Sequence, residues 1–180
     1  MSILRDTFCY FSGFVPAAAL EAVFRLPSGD EHTQLMKDIL EEFRNNPRQI
    51  PEIEDFLFSI SQEGVQTRLA NIKGTFLFVD YSVITSSVNS VDVKTDRLRL
   101  AITVARPRPK EQDQATEMIW QDKLLDIISR IRKTMRKDEA RLPSLWWISF
   151  PTTIQPFHAP GLGNSMGWTM EFDLTGTDIV

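Results

Sequence analysis

The 180 residues, 42% apolar and 24% charged, have the composition of a single ordinary globular domain, long enough to bury roughly 70% of the surface its unfolded chain would expose. No apolar run approaches the roughly 20 residues that span a bilayer, so the pattern reads as no membrane protein, and a net charge of -4 argues against a dedicated phosphate-backbone binder. Cys9 is the only cysteine, which excludes an intrachain disulfide and leaves cytoplasmic residence as the default expectation.

Residues 1–30 read as an N-terminal arm and residues 31–180 as one α+β domain. Phe8 to Leu20 is fairly apolar and ends near Ala17-Ala18-Ala19, but Asp6, Ser12, Gly13 and Pro16 break it up, which favours a docking arm or short core helix over a secretory signal. Ser28-Gly29-Asp30-Glu31 has the form of a capping box opening a helix whose stripe is Leu35, Met36, Ile39, Leu40 and Phe43, ending before Asn45-Asn46-Pro47. Phe56 to Ile60 is a short apolar run whose periodicity does not choose between helix and strand. Leu77, Val79, Tyr81 and Val83 alternate with Phe78, Asp80 and Ser82, a strand, and the polar stretch Asn89 to Asp96 predicts a hairpin connection. The returning strand carries Leu98, Leu100, Ile102 and Val104 on one face and Arg97, Arg99, Ala101 and Thr103 on the other.

From about Gln114 to Lys137 the period changes. Trp120, Leu124, Ile127, Ile128, Ile131 and Met135 recur at three and four, the apolar stripe of a long helix lying across the sheet. Leu145-Trp146-Trp147-Ile148-Ser149-Phe150 then reads as a strand, which with the helix predicts a right-handed β-α-β unit of parallel strands. Adjacent Trp146 and Trp147 point to opposite faces of such a strand, so only one need join the core. Pro151, Pro156 and Pro160 predict irregular structure until Gly161, Gly163 and Gly167 let the chain turn back. Residues 151–166 therefore form an expected mobile arm whose Ile154, Phe157 and Leu162 seek a neighbouring subunit. Trp168, Met170, Phe172 and Leu174 alternate in a closing antiparallel strand, making the sheet mixed and mostly antiparallel.

No stretch reads as a catalytic, cofactor or metal site. The glycines from Gly161 to Gly167 precede a strand, whereas a phosphate-binding loop opens a helix. His32 and His158 have no second ligand at metal spacing, and Cys9 sits among aromatic residues that give no reason for a lowered pKa, so it reads as buried and inert. Along the long helix, acids (Glu111, Asp113, Glu117, Asp122, Asp126) precede bases (Arg130, Arg132, Lys133, Arg136, Lys137), the order that complements the helix dipole. Five bases between residues 130 and 137 exceed what capping needs, so they are interface candidates together with Trp147, Ile154, Phe157 and Leu162.

The element order, and the closing Gly167-Trp168-Thr169-Met170-Glu171-Phe172-Asp173-Leu174 strand with Pro156-Phe157 upstream, resemble the tail-terminator and tail-completion proteins of tailed bacteriophages and prophages over roughly residues 31–175. That resemblance implies a non-enzymatic virion component assembled in the host cytoplasm. Its subunits form a ring, commonly a hexamer, that caps the tail tube and faces the head connector, with nucleic acid at most passing through. Two alternatives stand beside it: a small cytosolic enzyme built on scattered carboxylates and His158, and an adaptor domain using the basic end of the long helix.

Overall fold

The computed structural model describes residues 3–23, 48–59, 68–69, 71–88, 94–108, 113–139, 147–159 and 164–176. The fold is α+β. Helices α1 (Ile3–Ser12) and α2 (Ala17–Val23) precede β1 (Asp55–Ser59), β2 (Phe76–Val88) and β3 (Lys94–Pro107), followed by the long helix α3 (Gln114–Glu139), β4 (Trp147–Ala159) and β5 (Ser165–Gly176). The strands form one mixed sheet in the order β1-β2-β3-β5-β4. β1 and β2 are parallel and every other pairing is antiparallel. The apolar run from Phe56 is thus a strand, while the helix expected through Leu35 and Phe43 lies outside the described residues.

β3 and β4 run in the same direction on either side of α3, as a crossover requires, but they are not neighbours: β5 lies between them and pairs with both. The prolines explain the order. β4 continues as a strand through Pro151 and Pro156, where the sequence predicts an irregular arm, and proline has no N–H to give a ladder. Such a strand is tolerated at a sheet edge, and a register shift between Ser149 and Thr153 absorbs Pro151. β5 contains no proline, pairs without interruption to β3 from Asp96↔Gly176 to Pro107↔Ser165, and takes the inner position.

Alternation decides the two faces. Leu77 and Val79 of β2, Leu98 to Val104 of β3, and Met170, Phe172 and Leu174 of β5 turn one face toward α3, which buries Leu124, Ile127, Ile128, Ile131 and Met135 against it. Trp120, expected in that stripe, is only half-buried. Its ring lies between cations instead, with the Arg106 guanidinium 3.5 Å and the Lys123 ammonium 4.5 Å from the ring centroid. The N-terminal segment packs as core: Ile3, Phe11, Phe14, Val15, Ala19 and Leu20 belong to the same cluster, and Phe11 meets Phe172 at 6.1 Å between ring centroids. Cys9 is half-buried and packs against this cluster, less enclosed than its aromatic setting predicts.

A polar clasp closes the helical layer. The Tyr10 hydroxyl donates to Asp138 Oδ2 at 2.9 Å, and Arg48 pairs with the same oxygen at 3.0 Å. Burial, reinforced by the adjacent carboxylate, holds the Tyr10 hydroxyl protonated well above its ordinary range. On the opposite sheet face a smaller cluster of Leu57, Leu69, Ile72, Phe76, Phe78 and Ala105 is joined by Phe157.

α3 starts where its cap dictates. Asp113 Oδ1 accepts the Thr116 N–H at 2.7 Å, the bond of an N-cap residue, and that hydrogen bond, with those from the Thr116 hydroxyl and the Ala115 N–H, lowers the Asp113 pKa. A depressed carboxylate pKa contributes stability above its unfolded value and loses it as pH falls through the folded one. Asp113→Ala is therefore expected to melt below the wild type at neutral pH, the gap closing on acidification below about pH 4. Thermal melts of both proteins across pH 2–7 check this, and a gap independent of pH would assign the cap to something other than the ionised carboxylate.

Candidate functional site

Past Asp80 the outer edge of β2 is exposed, while β3 beside it stays within the sheet, with Asp96 and Leu98 fully buried. β1 ends with Ser59 opposite Asp80, and residues 82–88 of β2 are all exposed, with Val83 at 62%, Ile84 at 37% and Val88 at 64%. A bulge sets these side chains. Tyr81 pairs with Leu100 and Ile84 with Leu98, so Ser82 and Val83 together face Arg99. The extra residue moves Val83 out of the alternation predicted with Leu77, Val79 and Tyr81 and gives its place to Ile84. The stem is held by polar contacts: Ser86 Oγ donates to the fully buried Asp96, and Lys94 lies 3.8 Å from the same carboxylate.

The sheet face away from α3 carries a ladder of exposed charge. Arg97 and Arg99 of β3 pair with Asp173 and Glu171 of β5 at 3.6 and 3.0 Å, and Gln155 of β4 donates to Glu171 at 2.9 Å. Cross-strand pairs of this kind select register more than they stabilise, since exposed ion pairs contribute at most about 1 kcal/mol. Deeper on that face the Thr103 and Thr169 hydroxyls hydrogen-bond at 2.7 Å. Asp80, also on this side, is pushed up in pKa by partial burial.

A groove of about 670 Å³ runs between α3 and the turn before β1, lined by Glu52, Glu54, Thr75, Trp120, Lys123 and Ile127 among others. Three of its charges, Glu52, Asp126 and Arg130, engage one another. Arg130 donates to Glu52 at 2.7 Å and lies 3.1 Å from Asp126, and that hydrogen bond lowers the Glu52 pKa. Glu54 accepts the Thr75 N–H at 3.3 Å, and the Arg106 guanidinium is lowered in pKa by burial, with Glu54 opposing. Asp55, beside the groove, is raised by burial and by Glu54. An indole within reach of two cations, beside Glu52 and Asp126 paired to Arg130, makes a surface for binding a mixed polar and apolar group. Among the described residues no three His, Cys, Asp or Glu side chains converge as metal ligands.

The sequence-predicted interface residues scatter. Arg130 faces the groove, Arg132 is half-buried, and Lys133, Arg136 and Lys137 are exposed on the last turns of α3. Ile154 packs against the main core and Phe157 against the smaller one, so both are used within their own subunit, whereas the sequence reading sent them to a neighbour. Trp147 opens β4 opposite Thr175, and His158 lies near the strand's other end opposite Met166. Leu162 falls outside the described residues. The exposed edge of β2 was missed: the alternation reads straight on through Val83, and the bulge that gives its place to Ile84 shows only in the pairing with β3. No family model, no curated protein and no solved structure matches this chain.

No helix among the described residues is long and apolar enough to cross a membrane.

Proposed function

We propose that this chain is an assembly subunit, a ring-forming tail terminator or head-tail neck component of a phage or prophage, built in the host cytoplasm and contacting copies of itself, the tail tube and the head connector. The reading keeps the expectation that it acts by contact and not by catalysis. The observation that carries it is the exposed edge of β2: beyond Asp80, opposite the end of β1, that edge strand presents three exposed apolar side chains, Val83, Ile84 and Val88. Such a strand is an association hazard unless a partner occupies it. A ring supplies that partner through a head-to-tail contact repeated until it closes.

Native mass spectrometry of the purified chain across a range of concentrations tests this. A single closed multiple of the subunit mass supports the reading, and a monomer at every concentration sinks it. The groove beside Trp120 supports a second reading, a monomeric binding module whose acidic and basic walls receive a peptide or small polar ligand. In that case the protein stays monomeric, and Trp120→Ala abolishes binding without moving the oligomeric state.

A further inference from the structure

We infer that the open edge of β2 in one copy pairs with the first residues of β4 in the next, continuing the sheet from subunit to subunit; the inference rests on the ring reading and names the contact that would close it. Among the described residues the sheet beyond Asp80 has four strands, β2-β3-β5-β4, and no strand pairs with the outer side of β2 from Tyr81 to Val88 or with the outer side of β4. Both open edges lie at the same end of the sheet. Thr85 pairs with Arg97, Arg97 with Thr175, and Thr175 with Trp147, so one row of the ladder runs from edge to edge.

Strand direction makes the two edges complementary. β2-β3, β3-β5 and β5-β4 are each antiparallel, so the four strands alternate and β4 runs opposite to β2. A rotation about an axis close to the strand direction brings the β4 edge of one copy beside the β2 edge of another with the alternation intact. Antiparallel pairing is then available without turning either chain over.

Sequence and charge agree with the geometry. Tyr81-Ser82-Val83-Ile84-Thr85-Ser86-Ser87-Val88 contains no charged residue and no proline and is rich in β-formers. Trp147-Ile148-Ser149-Phe150 is likewise uncharged and free of proline, so neither edge carries the lysines or prolines that commonly guard one. The rest of β4 is different. Pro151 and Pro156 remove amide donors, and the register shift after Ser149 disturbs the strand, so pairing is confined to the four residues before Pro151. A second copy fits the β2 edge best because this chain itself provides a short neutral edge of the right direction at the same level.

Amide hydrogen exchange, read by mass spectrometry on the full-length protein at low and high concentration and paired with native mass, tests the contact. Expected on assembly is loss of fast exchange at alternate amides of 82–88, and in the same concentration range at 147–150. A companion pair, Thr85→Pro and Ser86→Pro, places proline once on an amide facing β3 and once on an amide facing outward. The outward variant should match the wild-type melting temperature at concentrations where the wild type is itself monomeric, and remain monomeric where the wild type assembles. Assembly with neither segment protected overturns the edge contact and leaves the ring reading standing. Protection of 82–88 alone, which means β2 pairs with itself, also overturns it. Two proline variants that both assemble like the wild type do the same, and a wild-type chain that never assembles removes the ring reading and the contact together.

Discussion

Leu124→Ala and Ile128→Ala each lower the unfolding free energy by about 2 to 5 kcal/mol, the range for truncating a large aliphatic side chain in a packed interior. Both side chains are fully buried on the face of α3 that meets Leu98, Leu100 and Ile102 of β3 and Met170 and Phe172 of β5. The sheet is tied strand to strand and cannot collapse into the space left behind, so a cavity persists and the loss exceeds the transfer free energy of the missing methyl groups. Urea unfolding with an unchanged m-value measures it. Trp120→Ala is the internal control. That residue shares the helical stripe but is half-exposed and held between Arg106 and Lys123, so it forfeits cation–π contacts of roughly 0.5 to 1 kcal/mol each and partial burial, without opening a core cavity. Midpoints unmoved by both core truncations would mean that α3 buries a different face.

Gly167→Ala destabilises by about 1 to 3 kcal/mol or more, although it adds one methyl group to a strand. A Cβ at this position would collide with the carbonyl oxygen of Val104 and come within 2.6 Å of Ala105 Cα and 2.8 Å of Ala105 Cβ. Those atoms are mostly backbone, and β3 cannot withdraw, because its ladder with β5 is continuous on both sides of the Ala105↔Gly167 pair. The row also carries Phe76 and Phe157, which pack into the smaller core with Ala105. Gly74→Ala gives the contrast. There the added methyl meets only the Glu54 carboxylate, the mobile end of a side chain that can swing into the groove at the cost of its bond to the Thr75 N–H. The melting temperature is expected to fall well below wild type for Gly167→Ala and only slightly for Gly74→Ala. Equal small shifts would show that β3 and β5 can separate at this row.

Local periodicity was enough to place the elements whose side chains repeat with one clear period. Leu98 to Val104 and Met170 to Leu174 alternate because a pleated strand sends successive side chains to opposite faces, and the spacing from Leu124 to Met135 is that of a helix with one buried stripe. From these followed the α+β class, the hairpin and the helix across the sheet. What each element lies beside was set by pairing between strands and packing between layers. Pro151 and Pro156 read as breaks when the chain is taken alone, because a missing N–H matters only where a neighbouring strand needs it; β4 at the edge has β5 on one side and keeps going. Gly167 reads as a turn residue, yet stands inside β5 because the β3 backbone passes too close for a Cβ. Trp120 satisfies the helical period and still leaves the core, since Arg106 reaches it from β3, a residue distant enough in sequence that no local pattern records the contact. The candidate surface was the least legible part. Its exposure depends on β1 ending at Ser59 and on a bulge that shifts Val83 and Ile84 by one place, and both are properties of pairing between strands, which a local period cannot carry.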